Sequence, residues 1–344
     1  MTAAQKKRGL QIGAALLGLS LLGFIFWKIG LTEVSQHLYS IGWLAPLLLV
    51  PQSCVTLFDA KGWGCTMANR TNPTNRANAV QLSLLQLSLT RLAGEAINNL
   101  TPTANMGGEA VKVYLLRKYG MTADVGAASV VAAKTALTVS QVAFIVLGLP
   151  FFLYRMDIGY HAWWIFGSVF ALAYGFIMAL VRWQRRGIVE KCVDWLRRRF
   201  PRWSRLERLQ GRAKQIDEHL FHLYDGDAKD FVAASLYHFL GWVFGAVEIY
   251  VFFALIGTEA SWMDALIIES MIQPVTAAAL VIPGALGVRE VGGVFLCGLL
   301  GIGEGAGLTL MVLKRAREAV YNMVGLFVLT RAGYSFFPQK VSAS

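Results

Sequence analysis

Apolar runs of membrane-spanning length recur along this 344-residue chain, and they constrain its fold more than any other feature. Full spans are predicted at about 10–27, 41–59, 123–154, 163–181, 231–256 and 308–331. An α-helix needs about 20 apolar residues to cross roughly 30 Å of hydrocarbon, and each run is near or above that length. Within hydrocarbon, backbone N–H and C=O groups must pair inside the protein, so an all-α polytopic fold follows. Charged residues make up only 15% of the chain; soluble domains carry roughly a quarter. A soluble enzyme or nucleic-acid-binding domain is therefore excluded as the main body, and no nucleic-acid partner is expected. Lys6, Lys7 and Arg8 precede the first run, and Lys28-Ile29-Gly30 after it lacks the small-residue exit of a cleavable leader. The run reads as a first spanning helix. Cys54, Cys65, Cys192 and Cys297 are scattered, which fits neither a disulfide framework nor a zinc site. No metal or other cofactor is expected.

Two further segments, 80–119 and 263–303, are not simple spans. The first reads QLSLLQLSLTRLAGEAINNLTPTANMGGEAVKVYLL, with Gln81, Gln86, Arg91, Glu95, Asn98 and Asn99 among leucines and a break at Pro102, Gly107 and Gly108. A re-entrant hairpin accounts for it: in along 80–100, a tip at 101–108, out along 109–118. Charge parity agrees. The loop 182–229 carries thirteen Lys and Arg and belongs on the cytoplasmic side with the N-terminus; a hairpin preserves that arrangement, as would a full crossing-and-return pair. The second segment runs apolar through Pro274 to Ile282, breaks over 283–293, and is apolar again to Leu300. Pro102 to Glu109 and Pro283 to Glu290 share the same spacing, with glycine between. Broken hydrophobic segments in two oppositely oriented halves are the sequence pointer to a transport site near the midplane. The expected architecture is about six full spans plus two opposed re-entrant hairpins in an inverted repeat, one membrane domain over 1–344 with 182–229 inserted as a basic cytoplasmic loop.

Ionisable groups within membrane segments are expensive and are functional candidates. They are Arg91, Glu95, Glu109, Lys134, Glu248, Glu269, Arg289, Glu290, Lys314, Arg315, Arg317 and Glu318. Arg91 and Glu95 are spaced to pair on one helix face, so they either neutralise each other or serve a ligand. Lys314, Arg315 and Arg317 with Glu318 read as a net positive cluster inside the last span, suited to an anion in a wet cavity. Arg289, Arg91 and Lys134 would add to it, because guanidinium forks bind phosphate oxygens bidentately. Helices opening after Gly107-Gly108 and after Gly292-Gly293 would contribute N-terminal N–H groups. Glu109 and Glu290 are either first-turn dipole partners or counter-charges that release the cations when lipid or a proton arrives. Asp225-Gly226-Asp227 and the pair His219/His222 read as a solvated turn and a wet helix face. Gly241/Gly245 and Gly303/Gly307 read as packing faces. The stretch 185–212, with Trp195, Phe200 and Trp203 among its arginines, reads as a helix lying on an anionic leaflet.

The stretches RLAGEAINNLTPTANMGGEAVKVYLL (from Arg91) and PGALGVREVGG (from Pro283) resemble the flippase-like membrane domain of lysylphosphatidylglycerol synthases. Single-domain relatives of that domain include members associated with hopanoid biosynthesis. The resemblance implies an inner-membrane protein that moves or handles a lipid, with Arg91, Glu95, Asn99, Pro102, Gly107, Gly108, Glu109, Pro283, Gly284, Gly287, Arg289 and Glu290 at its site. The sequence departs from the two-domain synthases by ending at Ser344 without an aminoacyl-transfer domain, so lysyl-lipid synthesis is not implied.

Together these readings describe a lipid translocase, not an enzyme, of a bacterial inner membrane with both termini cytoplasmic. Its substrate would be a membrane lipid with an anionic or phosphate-bearing headgroup, held by Arg91, Lys134, Arg289, Lys314, Arg315 and Arg317. The alternatives are a lipid-linked glycosyl or phosphoryl transferase using Asp225 and Asp227 or intramembrane carboxylates, and a scaffold that recruits lipid-synthesis enzymes through 182–229. Both monomer and oligomer are compatible with the pattern.

Overall fold

The computed structural model describes residues 20, 23, 27–28, 31–67, 82–101, 106–199, 210–211, 213–218, 221, 228–279 and 282–333. Among them the chain is helical throughout: α1 (Leu31–Ile41), α2 (Leu49–Met67), α3 (Leu84–Leu100), α4 (Gly107–Lys118), α5 (Ala123–Arg155), α6 (His161–Arg185), α7 (Ile188–Arg199), α8 (Ala228–Leu255), α9 (Trp262–Ala278), α10 (Val288–Leu299) and α11 (Glu304–Arg331). Four runs are long and apolar enough to span a membrane: Thr32–Met67, Ala123–Arg155, His161–Trp183 and Lys229–Leu255. They contain the predicted spans 41–59, 123–154, 163–181 and nearly all of 231–256. The predicted span 308–331 lies within α11, which is 28 residues long but too charged to count as an apolar run. The span predicted at 10–27 falls almost wholly outside the described residues.

The two broken segments form matching helical hairpins. In each, a helix of 17 residues is followed by a break and a helix of 12 residues, α3–α4 and α9–α10. Each first limb starts at a serine that closes a capping box, which satisfies helix N–H groups locally. Ser83 Oγ accepts from Gln86 N–H at 3.2 Å while Gln86 Oε1 accepts from Ser83 N–H at 2.8 Å. Ser261 and Asp264 repeat the exchange at 3.1 and 2.9 Å. A long helix follows each hairpin, α5 and α11.

The first limb of each hairpin crosses to the other half, while its second limb stays on the long helix that follows it, α4 on α5 and α10 on α11. α3 packs on α11 of the other half, α9 packs on α5, and α2 and α8 form the most extensive interface between them. A glycine sits at each crossing. A methyl at Gly325 of α11 would strike the Leu92 backbone, and one at Gly148 of α5 would strike the Ser270 side chain. Basic residues fasten the hairpin ends: Arg155 reaches Asp264 and donates to Leu300 O at 3.1 Å, and Lys118 donates to Ala332 O.

The second break departs from the sequence reading. α9 stops at Ala278, and α10 opens at Val288 rather than after Gly292-Gly293. Glu290 decides this by folding back, so that Gly287 N–H donates to its Oε2 at 2.6 Å. Gly284 (φ +57°) and Gly287 (φ +79°) take the left-handed backbone that turns the chain there. Gly292 and Gly293 lie inside α10, where side chains would meet Val275 and Met311. In the first hairpin α4 begins at Gly107 itself, and the tip residues 102–105, with Pro102, lie outside the described residues.

Two apolar clusters bracket the centre, one around Ile249, Phe252, Ile268 and Leu310, the other around Trp63, Leu87, Leu116 and Val130. α6 stands apart, touching α5 and α7, and no part of its apolar window is buried within the protein; hydrocarbon is the solvent for such a surface. The basic segment folds in part as α7, with Arg197, Arg198 and Arg199 in its last turn and Trp195 exposed. Asp217 caps α7 from outside the helix, accepting Val189 N–H at 3.2 Å and Glu190 N–H at 2.8 Å. Asp217→Ala is expected to weaken α7 by about 1 kcal/mol, seen as faster amide exchange in α7 and none elsewhere.

Candidate functional site

Two clusters of buried charge are assembled from residues far apart in the sequence. In the first, Arg91 of α3 stands 2.6 Å from Asp59 of α2 and 2.6 Å from Glu95. The other Asp59 oxygen lies 2.6 Å from His238 Nδ1 on α8. Glu109 of α4 reaches Lys112 at 3.0 Å and Lys134 of α5 at 4.0 Å. Asn98 binds the hairpin limbs together, its Oδ1 accepting from Gly108 N–H at 2.7 Å. A side chain at Gly108 would collide with Gly94 O and with Asn98, so the limbs touch backbone to backbone.

In the second cluster, Lys314 Nζ donates to Glu269 Oε2 at 2.8 Å and sits 3.5 Å from Glu248. Arg317 pairs with Glu248, Arg289 with Glu318, and Arg315 with both Glu290 and Glu318. Arg315 Nη2 also donates to Gly284 O at 2.8 Å, holding the second break in place. The sequence reading of a net positive cluster on the last span is thereby corrected. Counted along one helix the cations dominate, but Glu248, Glu269 and Glu290 arrive from three other helices and balance them. Burial demands it, because an unpaired charge away from water is strongly destabilising. The Gly241/Gly245 face on α8 packs closely, as read from sequence, and its neighbours are carboxylates, Asp59 opposite Gly241 and Glu269 opposite Gly245.

The clusters share one cavity of about 310 Å³. Glu95, Asn98, Asn99 and Lys134 line it from one half, and Glu248, Glu269, Gln273, Arg289, Lys314 and Arg317 from the other. Its cations sit deep: Lys314 is roughly 15 Å along α11 from Glu304, at 1.5 Å per residue. Asn99 Nδ2 donates to Asn322 Oδ1 at 3.1 Å, joining α3 to α11 beside it. Lys134 is the least engaged cation, with a side chain 46% exposed.

Of the ionisable and site residues singled out from sequence, Glu95, Asn99, Lys134, Glu248, Glu269, Arg289, Lys314 and Arg317 line this cavity. Arg91 and Glu109 line a smaller adjoining pocket that shares Glu95, Asn98 and Lys134 with it. Glu290, Arg315, Gly284 and Gly287 instead build the second break, and Gly107 and Gly108 the first turn of α4. Pro283 opens the short turn Pro283–Ala285. Asp225, Asp227, His219 and His222 lie outside the described residues. Sequence reasoning missed Asp59, Lys112 and His238. Asp59 and His238 were visible as polar residues inside otherwise apolar runs.

Comparison with known proteins places this architecture. The family described as "Lysylphosphatidylglycerol synthase TM region" matches residues 11–325. The chain belongs to that family. It is an integral membrane protein, as the resemblance seen in the sequence implied. A UPF0104 membrane protein of Methanothermobacter thermautotrophicus is 27% identical over 234 residues, 64% of this chain and 67% of the relative. A UPF0104 membrane protein of Pyrococcus horikoshii is 23% identical over 292 residues, 80% of this chain and 83% of the relative. No solved structure matches the chain. The part matched to the lysylphosphatidylglycerol synthase transmembrane region contains both hairpins and both charge clusters.

Proposed function

We propose that the protein is a lipid translocase of a bacterial inner membrane, with both termini cytoplasmic, that takes an anionic or phosphate-bearing headgroup into the central cavity while the lipid tail stays in hydrocarbon. One observation carries the reading: a polar cavity of about 310 Å³, lined by charged side chains from both halves, lies midway along helices of membrane-spanning length. The two matched hairpins, whose first limbs cross between the halves, support it, since paired broken helices about a midplane site suit alternating access. In this reading they are re-entrant loops inserted from opposite faces.

The charge arrangement suits a ligand that must bind and leave. Empty, the cavity keeps its cations on carboxylates; a phosphate would compete for them. Lys134 already faces the cavity half-exposed, and buried Arg317 Nε makes no hydrogen bond among the described residues. Phosphate oxygens at these two groups would form charge-assisted hydrogen bonds, and Glu95, Glu248 and Glu109 would return to the cations on release. α7 and the surrounding basic segment would rest on the anionic cytoplasmic leaflet, Trp195 in the interface.

The test is headgroup movement in proteoliposomes, with fluorescent phosphatidylglycerol and phosphatidylserine quenched from outside. Folded protein is expected to move at least one of them, and Lys134→Gln to slow it roughly tenfold through loss of one charge-assisted bond. Lys134 is exposed enough for that variant to fold. No movement of either lipid, with protein shown to be folded, overturns the reading.

A further inference from the structure

His238 takes no part in lining the cavity, and it is 1% exposed. Its Nδ1 lies 2.6 Å from Asp59 Oδ1, and its Nε2 is buried without a hydrogen-bond partner among the described residues. Gly62 on α2 leaves space beside that nitrogen, where a methyl group would stand 3.1 Å from it. Asp59 accepts on one oxygen from Arg91, at 2.6 Å, and faces His238 with the other. Arg91 in turn holds Glu95, which lines the cavity. An unbroken chain therefore runs from a buried imidazole to the headgroup chamber: His238, Asp59, Arg91, Glu95.

We propose that His238 is a proton-binding site that couples lipid movement to a proton gradient. The inference rests on the translocase reading. Histidine is the side chain whose ordinary titration, near pH 6.5, falls within the physiological range. With imidazole neutral, Arg91 is the one cation in direct contact with both Asp59 and Glu95, while Lys112 and Lys134 pair with Glu109. A proton arriving from water forms an N–H bond at Nε2 and makes the ring a second cation for Asp59. Arg91 is then held less tightly by Asp59 and is free to turn toward the chamber, where a phosphate can take it. When the lipid leaves, Arg91 returns to Asp59 and the imidazolium gives its proton back to water. Proton and headgroup thus favour each other's binding, which is what coupling requires.

The surrounding charges fit this assignment. α2 presents Asp59, while its Lys61 turns away over the Tyr237 ring at 4.9 Å. α3 presents Arg91 and Glu95, and α4 presents Lys112, 5.9 Å above the Trp63 ring, with Glu109 beyond it. α5 sets Lys134 on the chamber side; α9 and α11 bring Glu269, Lys314 and Arg317 to Glu248, farther along α8. His238 is the one imidazole in this set.

The experiment measures fluorescent phosphatidylglycerol and phosphatidylserine movement in proteoliposomes with and without an imposed gradient of one pH unit. Wild type is expected to shift the steady-state distribution of the lipid between leaflets, by up to about tenfold for one proton per lipid. His238→Gln and Asp59→Asn are expected to lose that shift, whatever their rates. Nitrogen NMR of histidine-labelled protein in nanodiscs, recorded on both sides of that pH step, should show the His238 ring gaining a proton on the acid side. Lipid movement in wild type that ignores the gradient, or a His238 ring that keeps one protonation state across that step, overturns the coupling and leaves the translocase reading intact. Absence of lipid movement in folded wild type overturns both.

Discussion

Lys314→Met is expected to destabilise the protein by on the order of 3–5 kcal/mol, read as a large fall in the midpoint of thermal unfolding. Lys314 is the cation shared by Glu248 and Glu269, and all three side chains are buried. Glu248 keeps Arg317 when the ammonium is removed, but among the described residues Glu269 is left with the Gln273 amide, at 3.1 Å, as its hydrogen-bond partner. Breaking one side of a buried pair strands a charge, whereas replacing both sides need not. Lys314→Met combined with Glu269→Gln is therefore expected to recover most of the lost stability. If the double variant is no better than the single one, Lys314 is held by packing and not by charge, and the account of the second cluster as a neutral network is wrong.

The second large effect is expected at the crossings between the halves. Gly325→Val puts a branched side chain into the Leu92 backbone of α3, and Gly148→Val puts one into Ser270 of α9. Overpacking in a well-packed core costs about 1–3 kcal/mol, and backbone cannot yield as a side chain can, so Gly325→Val is expected at or above the upper end. Where the disturbance appears matters as much as its size. Hydrogen exchange should rise in α3 for Gly325→Val and in α9 for Gly148→Val, each in the hairpin of the opposite half. Exchange rising only in α10 for Gly325→Val, with α3 unchanged, or only in α4 for Gly148→Val, with α9 unchanged, would show that the first limbs do not cross between the halves.

Much of the fold was legible because hydrocarbon imposes simple rules on sequence. Long apolar runs must be helices, and a polar, glycine-broken segment at that depth must be covered. The hairpin 84–118 follows from Arg91, Asn98, Asn99, Gly107 and Gly108, and the structure starts its second limb within a residue or two of the position read from sequence. The second break was read too late and too long. Pro283 and the Gly292-Gly293 pair looked like its punctuation, whereas the cap that Glu290 places on Gly287 starts α10 five residues before Gly293. That glutamate was noticed for its charge. Its backbone role depends on a turn that sequence spacing alone does not show.

The site was legible as a set of residue types and illegible as a set of pairs. Twelve ionisable residues stood out in membrane segments because burial makes each expensive, and that argument needs no partner. Which carboxylate meets which cation depends on helices brought together from opposite halves: Asp59 on Arg91 and His238, Glu248 on Lys314 and Arg317. The sequence alone determined that the chain is helical, where most of its long apolar runs lie and which charges burial makes expensive, because solvation acts on each segment by itself. Only tertiary structure decided that the charge is balanced and gathered about one chamber, because Coulomb pairing acts between segments and falls off within a few ångströms.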